Sequence, residues 1–150
     1  MAISIQINFL KADISFVPKQ KKLLRQWIAL TIQAHHKKLG QIDYIFCSDE
    51  YLLQMNKQYL NHHTLTDIIT FDYSNELTAE VAGEIYISIN RVRENAEVFK
   101  CTFNDELHRV MIHGVLHLCG FKDKTKNQKQ IMRAQEDEAI KSLKKLQIHP

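Results

Sequence analysis

The sequence predicts an α+β fold, a central mixed sheet of about four strands with helices packed on it. Two observations carry that prediction. Short apolar segments of strand character occur at four places, around Ile3 to Phe9, Ile42 to Cys47, Asp67 to Tyr73 and Glu84 to Ser88. Longer segments with helical spacing lie between and after them. With only two prolines and four glycines in 150 residues, long elements and short connections are expected. That length is near the commonest domain size, so one domain over 1–150 is expected.

In chain order, Ile3, Ile5, Ile7 and Phe9 alternate with polar residues and read as a half-buried strand. Pro18 is well placed as the first residue of a helix. That helix carries Leu23, Leu24, Trp27, Ile28, Thr31 and Ala34 on one face. Lys37 and Lys38 suit its negative end, and Gly40 can close it in a left-handed conformation. Ile42 to Cys47 is the second strand. Ser48 then caps a short helix with Asp49 and Glu50 in its first turn. The strands DIITFDY and EIYIS follow, joined by a loop ending at Gly83, and so short a connection favours antiparallel pairing. Asn90 is expected to cap a helix with apolar Val92, Ala96 and Phe99, and Asn104 the next, with Asp105 and Glu106 in its first turn. A last helix starts near Thr125, where Thr125 and Gln128 have capping-box spacing. Ile131, Ala134, Ala139, Ile140 and Leu143 would be its buried side. The helices are expected to cover one face of the sheet.

Composition narrows the class. Apolar residues make up 45% and charged residues 25%, enough for a core without disulfides or an obligatory structural metal. The cysteines, Cys47, Cys101 and Cys119, form neither a disulfide framework nor a Cys-x-x-Cys pair. The first residues lack the basic start and unbroken apolar run of a signal peptide, and no stretch has the length to cross a bilayer. A reducing cytoplasm is the expected location. The net charge of +3 is mild. Lys19, Lys21, Lys22 and Arg25 cluster in one helix, and Lys122, Lys124, Lys126 and Lys129 cluster later. Such runs are either solvated faces or a phosphate-attracting rim around a cleft.

The segment that carries chemistry is HGVLHLCGFKD, from His113 to Asp123. Two histidines four apart on a helix lie one above the other on the same face, so their rings can converge on one ion. Gly120 follows where a helix can stop, because glycine accepts positive φ cheaply. The chain can then turn back and bring Asp123 to the same ion. Three protein ligands leave one position of a tetrahedral ion open, as in catalytic rather than structural zinc sites. Such an ion lowers the pKa of a bound water and polarises the bond under attack. A carboxylate in the ligand set leaves less positive charge than a third imidazole would, which predicts a higher pH optimum than for a tris-histidine site. His108 lies outside the spacing and reads as structural or cleft-lining. Cys119 reads as a small buried hydrophobe. In zincin peptidases a glutamate after the first histidine is the general base, and here that position is Gly114. Glycine offers instead close backbone approach, by a facing strand or by a substrate.

These residues resemble the YbeY family of rRNA maturation endoribonucleases. The family's H-G-x-L-H-L-x-G-Y-D-H is matched at His113, Gly114, Leu116, His117, Leu118 and Gly120. Phe121 stands for its tyrosine and Asp123 for its third histidine. Thr66 to Phe71 resembles its T-D-V-L-S-F strand, and Gly83 to Ser88 its G-D-I-x-I-S strand. Asn56 and Tyr59 match N-x-x-Y, and Glu106 and Leu107 match the E-L that opens the metal-bearing helix. The resemblance implies the α+β fold, a zinc ion on His113, His117 and Asp123, and metal-assisted cleavage of phosphodiester bonds in small-subunit ribosomal RNA processing. The implied partners are ribosomal RNA and the small ribosomal subunit, with no membrane and no dinucleotide cofactor. An arginine that serves catalysis usually follows the family's tyrosine. Here Leu60 and Asn61 follow Tyr59, so that role is not carried over. Lys122 and Lys124 are candidate substitutes by proximity. Thr66 and Asp67 either line the cleft or form a local strand-start turn.

Other readings of the same residues are a metallopeptidase-like hydrolase, a non-haem iron oxygenase built on two histidines and a carboxylate, and a non-catalytic ribosome assembly factor whose metal orders the loop after Gly120.

Overall fold

The computed structural model describes residues 6–60 and 66–149. Ile3, Ile5, Asn61, His62 and His63 lie outside them. In chain order the described elements are β1 (Ile7–Lys11), α1 (Lys21–Ala34), β2 (Lys38–Cys47), α2 (Asp49–Leu60), β3 (Ile68–Asp72), β4 (Glu80–Ser88), α3 (Ile89–Phe99), α4 (Phe103–Leu118) and α5 (Lys126–Ile148). Among the described residues the strands form one four-stranded sheet in the order β1-β2-β4-β3. β2 runs parallel to both β1 and β4, while β3 pairs antiparallel with β4, as its short connection requires. The α+β plan with a mixed sheet is therefore what forms.

Strand alternation sorts the side chains into two clusters. Ile85 and Ile87 of β4 join Ile7, Tyr44 and Phe46 in the main core, with Trp27 and Ile28 of α1 and Val110, Met111 and Val115 of α4. Their neighbours Tyr86 and Ile69 point the other way and pack with Leu52 and Met55 of α2. Helices thus lie on both faces, not one as expected. Buried polar atoms in the main core are satisfied across elements. The Trp27 indole donates to Ala139 O at 2.7 Å and the Tyr44 hydroxyl to Met111 O at 2.9 Å. These two bonds tie α5 to α1 and α4 to β2.

Several boundaries differ from the expectation, each for a local reason. Gln20 is left-handed (φ 59°), so α1 starts after it and Pro18 lies outside the helix. His36, not Gly40, takes the left-handed position beyond α1 (φ 60°). Gly40 is inside β2, where a Cβ would collide with Val81 O of the adjacent strand at 2.8 Å. The caps of α3 and α4 are Ser88 and Thr102, each a hydroxyl accepting from a backbone N–H three residues on. Asn90 instead accepts from Asp49 N at 2.9 Å, helping Ser48 to close the start of α2. The capping box at Thr125 and Gln128 forms as read. The buried face of α5 is Met132, Glu136, Ala139 and Leu143, so Ala139 and Leu143 are buried as expected while Ile131 and Ala134 are exposed. Phe99 is exposed rather than core. No helix among the described residues is long and apolar enough to cross a membrane.

Candidate metal centre

The site is built at the C-terminal end of α4. That helix lies over β3 and β4, and Gly114 makes the fit possible. A Cβ there would meet Ile85 Cγ2 at 2.9 Å and Ile68 Cδ1 at 3.0 Å. The glycine therefore serves approach to the sheet, and no side chain could act from this position as a general base. With that face against the sheet, His113 and His117 stand at the helix edge. Their ring centroids are 4.6 Å apart and their planes are 81° to one another.

The chain leaves α4 by a defined turn. Gly120 N–H bonds to His117 O and Phe121 N–H to Leu116 O, both at 3.0 Å, with Gly120 at φ 108°. This pair of bonds is a Schellman motif, with glycine where the left-handed residue must be. The Phe121 ring then rests edge-on against His35, the residue that caps the end of α1, with centroids 5.0 Å apart. At the far end of the connection, Gln128 Oε1 accepts from both Lys124 N and Thr125 N at 3.0 Å. Fastened at both ends, the connection carries Asp123 back to the histidines.

Asp123 Oδ2 lies 3.1 Å from His113 Nε2 and 3.3 Å from His117 Nε2. The three donors are mutually within 4.8 Å. Around a tetrahedral zinc with bonds of about 2.0–2.1 Å, neighbouring ligand atoms are about 3.3 Å apart. The spacing of the carboxylate to both rings therefore suits one small ion. The other ring nitrogens agree with it. His117 Nδ1 faces Phe121 O at 2.9 Å and His113 Nδ1 faces Glu136 Oε2 at 2.6 Å. Nδ1 donating to an oxygen leaves the Nε2 lone pair free, the usual arrangement of metal-ligating histidine.

The site opens on a cleft of about 460 Å³. Thr66 and Asp67 line it, as do Lys129 and Arg133 of α5, whereas Lys122 and Lys124 are exposed outside it. Thr66 also donates to Ile68 O at 3.3 Å, so the local turn and the cleft position coexist. Four carboxylates, Asp67, Glu106, Asp123 and Glu136, line the cleft together with Arg109, Lys129 and Arg133. Burial, reinforced by the neighbouring Asp67, pushes the Glu106 carboxyl up to about 7. Burial raises Asp67 as well. At His113 burial works against protonation. Glu136, Asp123 and Asp67 outweigh it and hold the imidazole above its ordinary pKa. The carboxylates around His113 favour a cation beside it.

Glu136 and Arg109 also line the cleft, and the motif from His113 to Asp123 does not point to them. Arg109 bonds to Glu136 at 3.0 Å and to Asp137 at 2.9 Å. Glu136 sits at core spacing in the stripe Met132, Glu136, Ala139, Leu143, and a charge in that register was the available signal. His108 is outside the site, its ring edge-on to Trp27 at 6.1 Å. The half-buried Cys119 thiol is pushed up to about 11, mainly by burial, and is not among the convergent donors.

An α+β fold with two imidazoles on a helix and a returning carboxylate beside an open cleft defines a protein whose side chains could hold a metal ion. The sequence profile described as Endoribonuclease YbeY matches residues 6–144. Relatives named Endoribonuclease YbeY include that of Flavobacterium psychrophilum, 54% identical over 129 residues, covering 86% of this chain and 91% of the relative. That of Cytophaga hutchinsonii is 48% identical over 139 residues, covering 93% and 96%. The solution structure of TM1509 from Thermotoga maritima is similar with a TM-score of 0.61 and 27% identity, over 93% of this chain and 92% of that one. The chain belongs to the YbeY endoribonuclease family.

Proposed function

We propose that this chain is a zinc-dependent endoribonuclease acting in the cytoplasm on ribosomal RNA of the small subunit, with His113, His117 and Asp123 as the metal ligands. The observation that carries the reading is the convergence of two Nε2 atoms and one carboxylate oxygen at tetrahedral-edge spacing beside a cleft. Two imidazoles and a carboxylate with an open position suit zinc. When bound, the ion supplies Lewis acidity, polarising a phosphoryl oxygen and acidifying water.

The chain's own residues account for the rest. A cleft lined by Asp67, Glu106, Asp123 and Glu136 repels a phosphodiester unless cations offset that charge. Lys129 and Arg133 are the cations on the α5 side of the cleft. Arg133 is well exposed and, among the described residues, makes a long 3.9 Å approach to Glu136, so it is available to a phosphate. Arg109 is already engaged by two carboxylates. Lys122 and Lys124, exposed on the connection, suit longer-range attraction of RNA. Thr66 and Asp67 also line the cleft and offer polar groups to the ribose or base.

The test is cleavage of precursor ribosomal RNA by wild type and by His117→Ala, each with zinc and with a chelator. Cleavage by wild type with zinc alone is expected. Cleavage that survives in His117→Ala, or in chelator, would remove the metal from the reaction.

A further inference from the structure

A buried carboxylate on a neighbouring helix is bonded to one of the candidate ligands, and its two oxygens do different things. Glu136 is 5% exposed. Its Oε1 accepts from Arg109 at 3.0 Å and its Oε2 meets His113 Nδ1 at 2.6 Å. Pairing with Arg109 would by itself answer the charge. The second contact goes to the one ring atom that decides which nitrogen of His113 is left as an acceptor. Arg109 is also held by Asp137, so the guanidinium is fixed on two successive carboxylates of α5. The chain of contacts runs Asp137, Arg109, Glu136, His113, and ends at the Nε2 that faces Asp123.

We infer that Glu136 is a positioning residue of the metal centre: it holds His113 with the proton on Nδ1, so that Nε2 is presented to the ion, and Arg109 holds Glu136 in place. The inference rests on the proposed ligand set. Glu136 is not a ligand of the same ion, because it bonds to the ring nitrogen opposite the one that faces Asp123. His117 provides an internal comparison. Its Nδ1 is held by the backbone carbonyl of Phe121, which no side-chain substitution removes. Of the two outer contacts only the one at Glu136 can be altered by mutation, and it comes from α5 rather than from the turn after α4. The packing of α5 on α4 thereby bears on how well the ion is held.

The experiment compares zinc affinity, by competition with a chromophoric chelator, in wild type, Glu136→Gln and Glu136→Asp. Long-range ¹H–¹⁵N spectra of the histidine rings in the metal-free proteins at pH 8.5 read the tautomer directly. Glu136→Gln should bind zinc roughly 10- to 100-fold more weakly and show His113 as a mixture of tautomers, with His117 unchanged. Glu136→Asp keeps the charge opposite Arg109 but withdraws the oxygen from His113. It should also lose affinity and show the His113 tautomer mixed while that of His117 is unchanged, which a purely structural role does not explain. Wild-type affinity and an unchanged His113 tautomer in both variants would overturn the inference and leave the ligand set standing. A wild type that takes up no stoichiometric zinc would overturn both.

Discussion

Replacing Glu106 with Gln should stabilise the protein at neutral and alkaline pH and do little in acid. Glu106 lies in the first turn of α4, is 5% exposed, and has no hydrogen-bond or ion-pair partner among the described residues. Burial and the adjacent Asp67 hold its proton to about pH 7, against an ordinary 4.5, while Arg109 and Arg133 act the other way. Between those values the folded chain binds more protons than the unfolded one. Stability therefore falls as pH rises through the window, and the full penalty remains above about 7. At about 1.4 kcal/mol per pH unit, the interval is worth roughly 3 kcal/mol. The carboxyl faces an open cleft and water relieves part of that, so about 1–3 kcal/mol is expected. Glutamine has the same shape and no charge. Urea unfolding of metal-free wild type and Glu106→Gln at pH 4, 6 and 8 reads the effect together with its coupling to Asp67, because the carboxylates not coupled to Glu106 cancel in the difference. The variant should be more stable by about 1–3 kcal/mol at pH 8 and match wild type within about 0.5 kcal/mol at pH 4. A difference independent of pH, or a variant less stable at pH 8, would show that Glu106 is ionised and well paired.

Three further outcomes follow from the same geometry. Gly114→Ala gains about 1 kcal/mol of helix propensity but drives a methyl into Ile85 and Ile68, so a net loss of roughly 1–2 kcal/mol in urea unfolding is expected. Arg133→Ala should weaken RNA binding and reduce the slope of log affinity against log salt by about 0.7, the signature of one lost phosphate contact on a single strand. An unchanged slope would place Arg133 off the RNA path. Asp123→His should move the acidic limb of the pH–rate profile to lower pH, because a neutral ligand leaves more positive charge on the ion, and an unmoved limb would count against Asp123 as a ligand.

The convergence of the candidate ligands was legible where chemistry and chain geometry coincide in a short segment. His113, His117, Gly120 and Asp123 lie within one helix end and its exit turn, so helical spacing and the conformational freedom of glycine suffice to bring them together. The antiparallel β3–β4 pair and the Thr125 capping box are local in the same sense. What was not legible depends on partners distant in sequence. Glu136 reaches His113 only because α5 packs on α4. Lys129 and Arg133 line the cleft for the same reason, whereas Lys122 and Lys124, closer in sequence, remain outside it. Asn90 is a good cap by residue type, but Ser88 stands at the strand end where the helix begins, and the Asn90 side chain serves α2 instead. Gly40 resembled a helix terminator. Its actual constraint is the closeness of β4, which only strand pairing reveals.

X-ray absorption spectroscopy of the zinc-loaded protein, compared with Asp123→Ala, reads the ligand set directly. Two imidazoles with oxygen donors at about 2.0–2.2 Å are expected in wild type, with one zinc per chain, and reduced zinc uptake in the variant. A sulfur shell near 2.3 Å would move the ion to a cysteine such as Cys119. Identical spectra for wild type and variant would remove Asp123 from the coordination sphere.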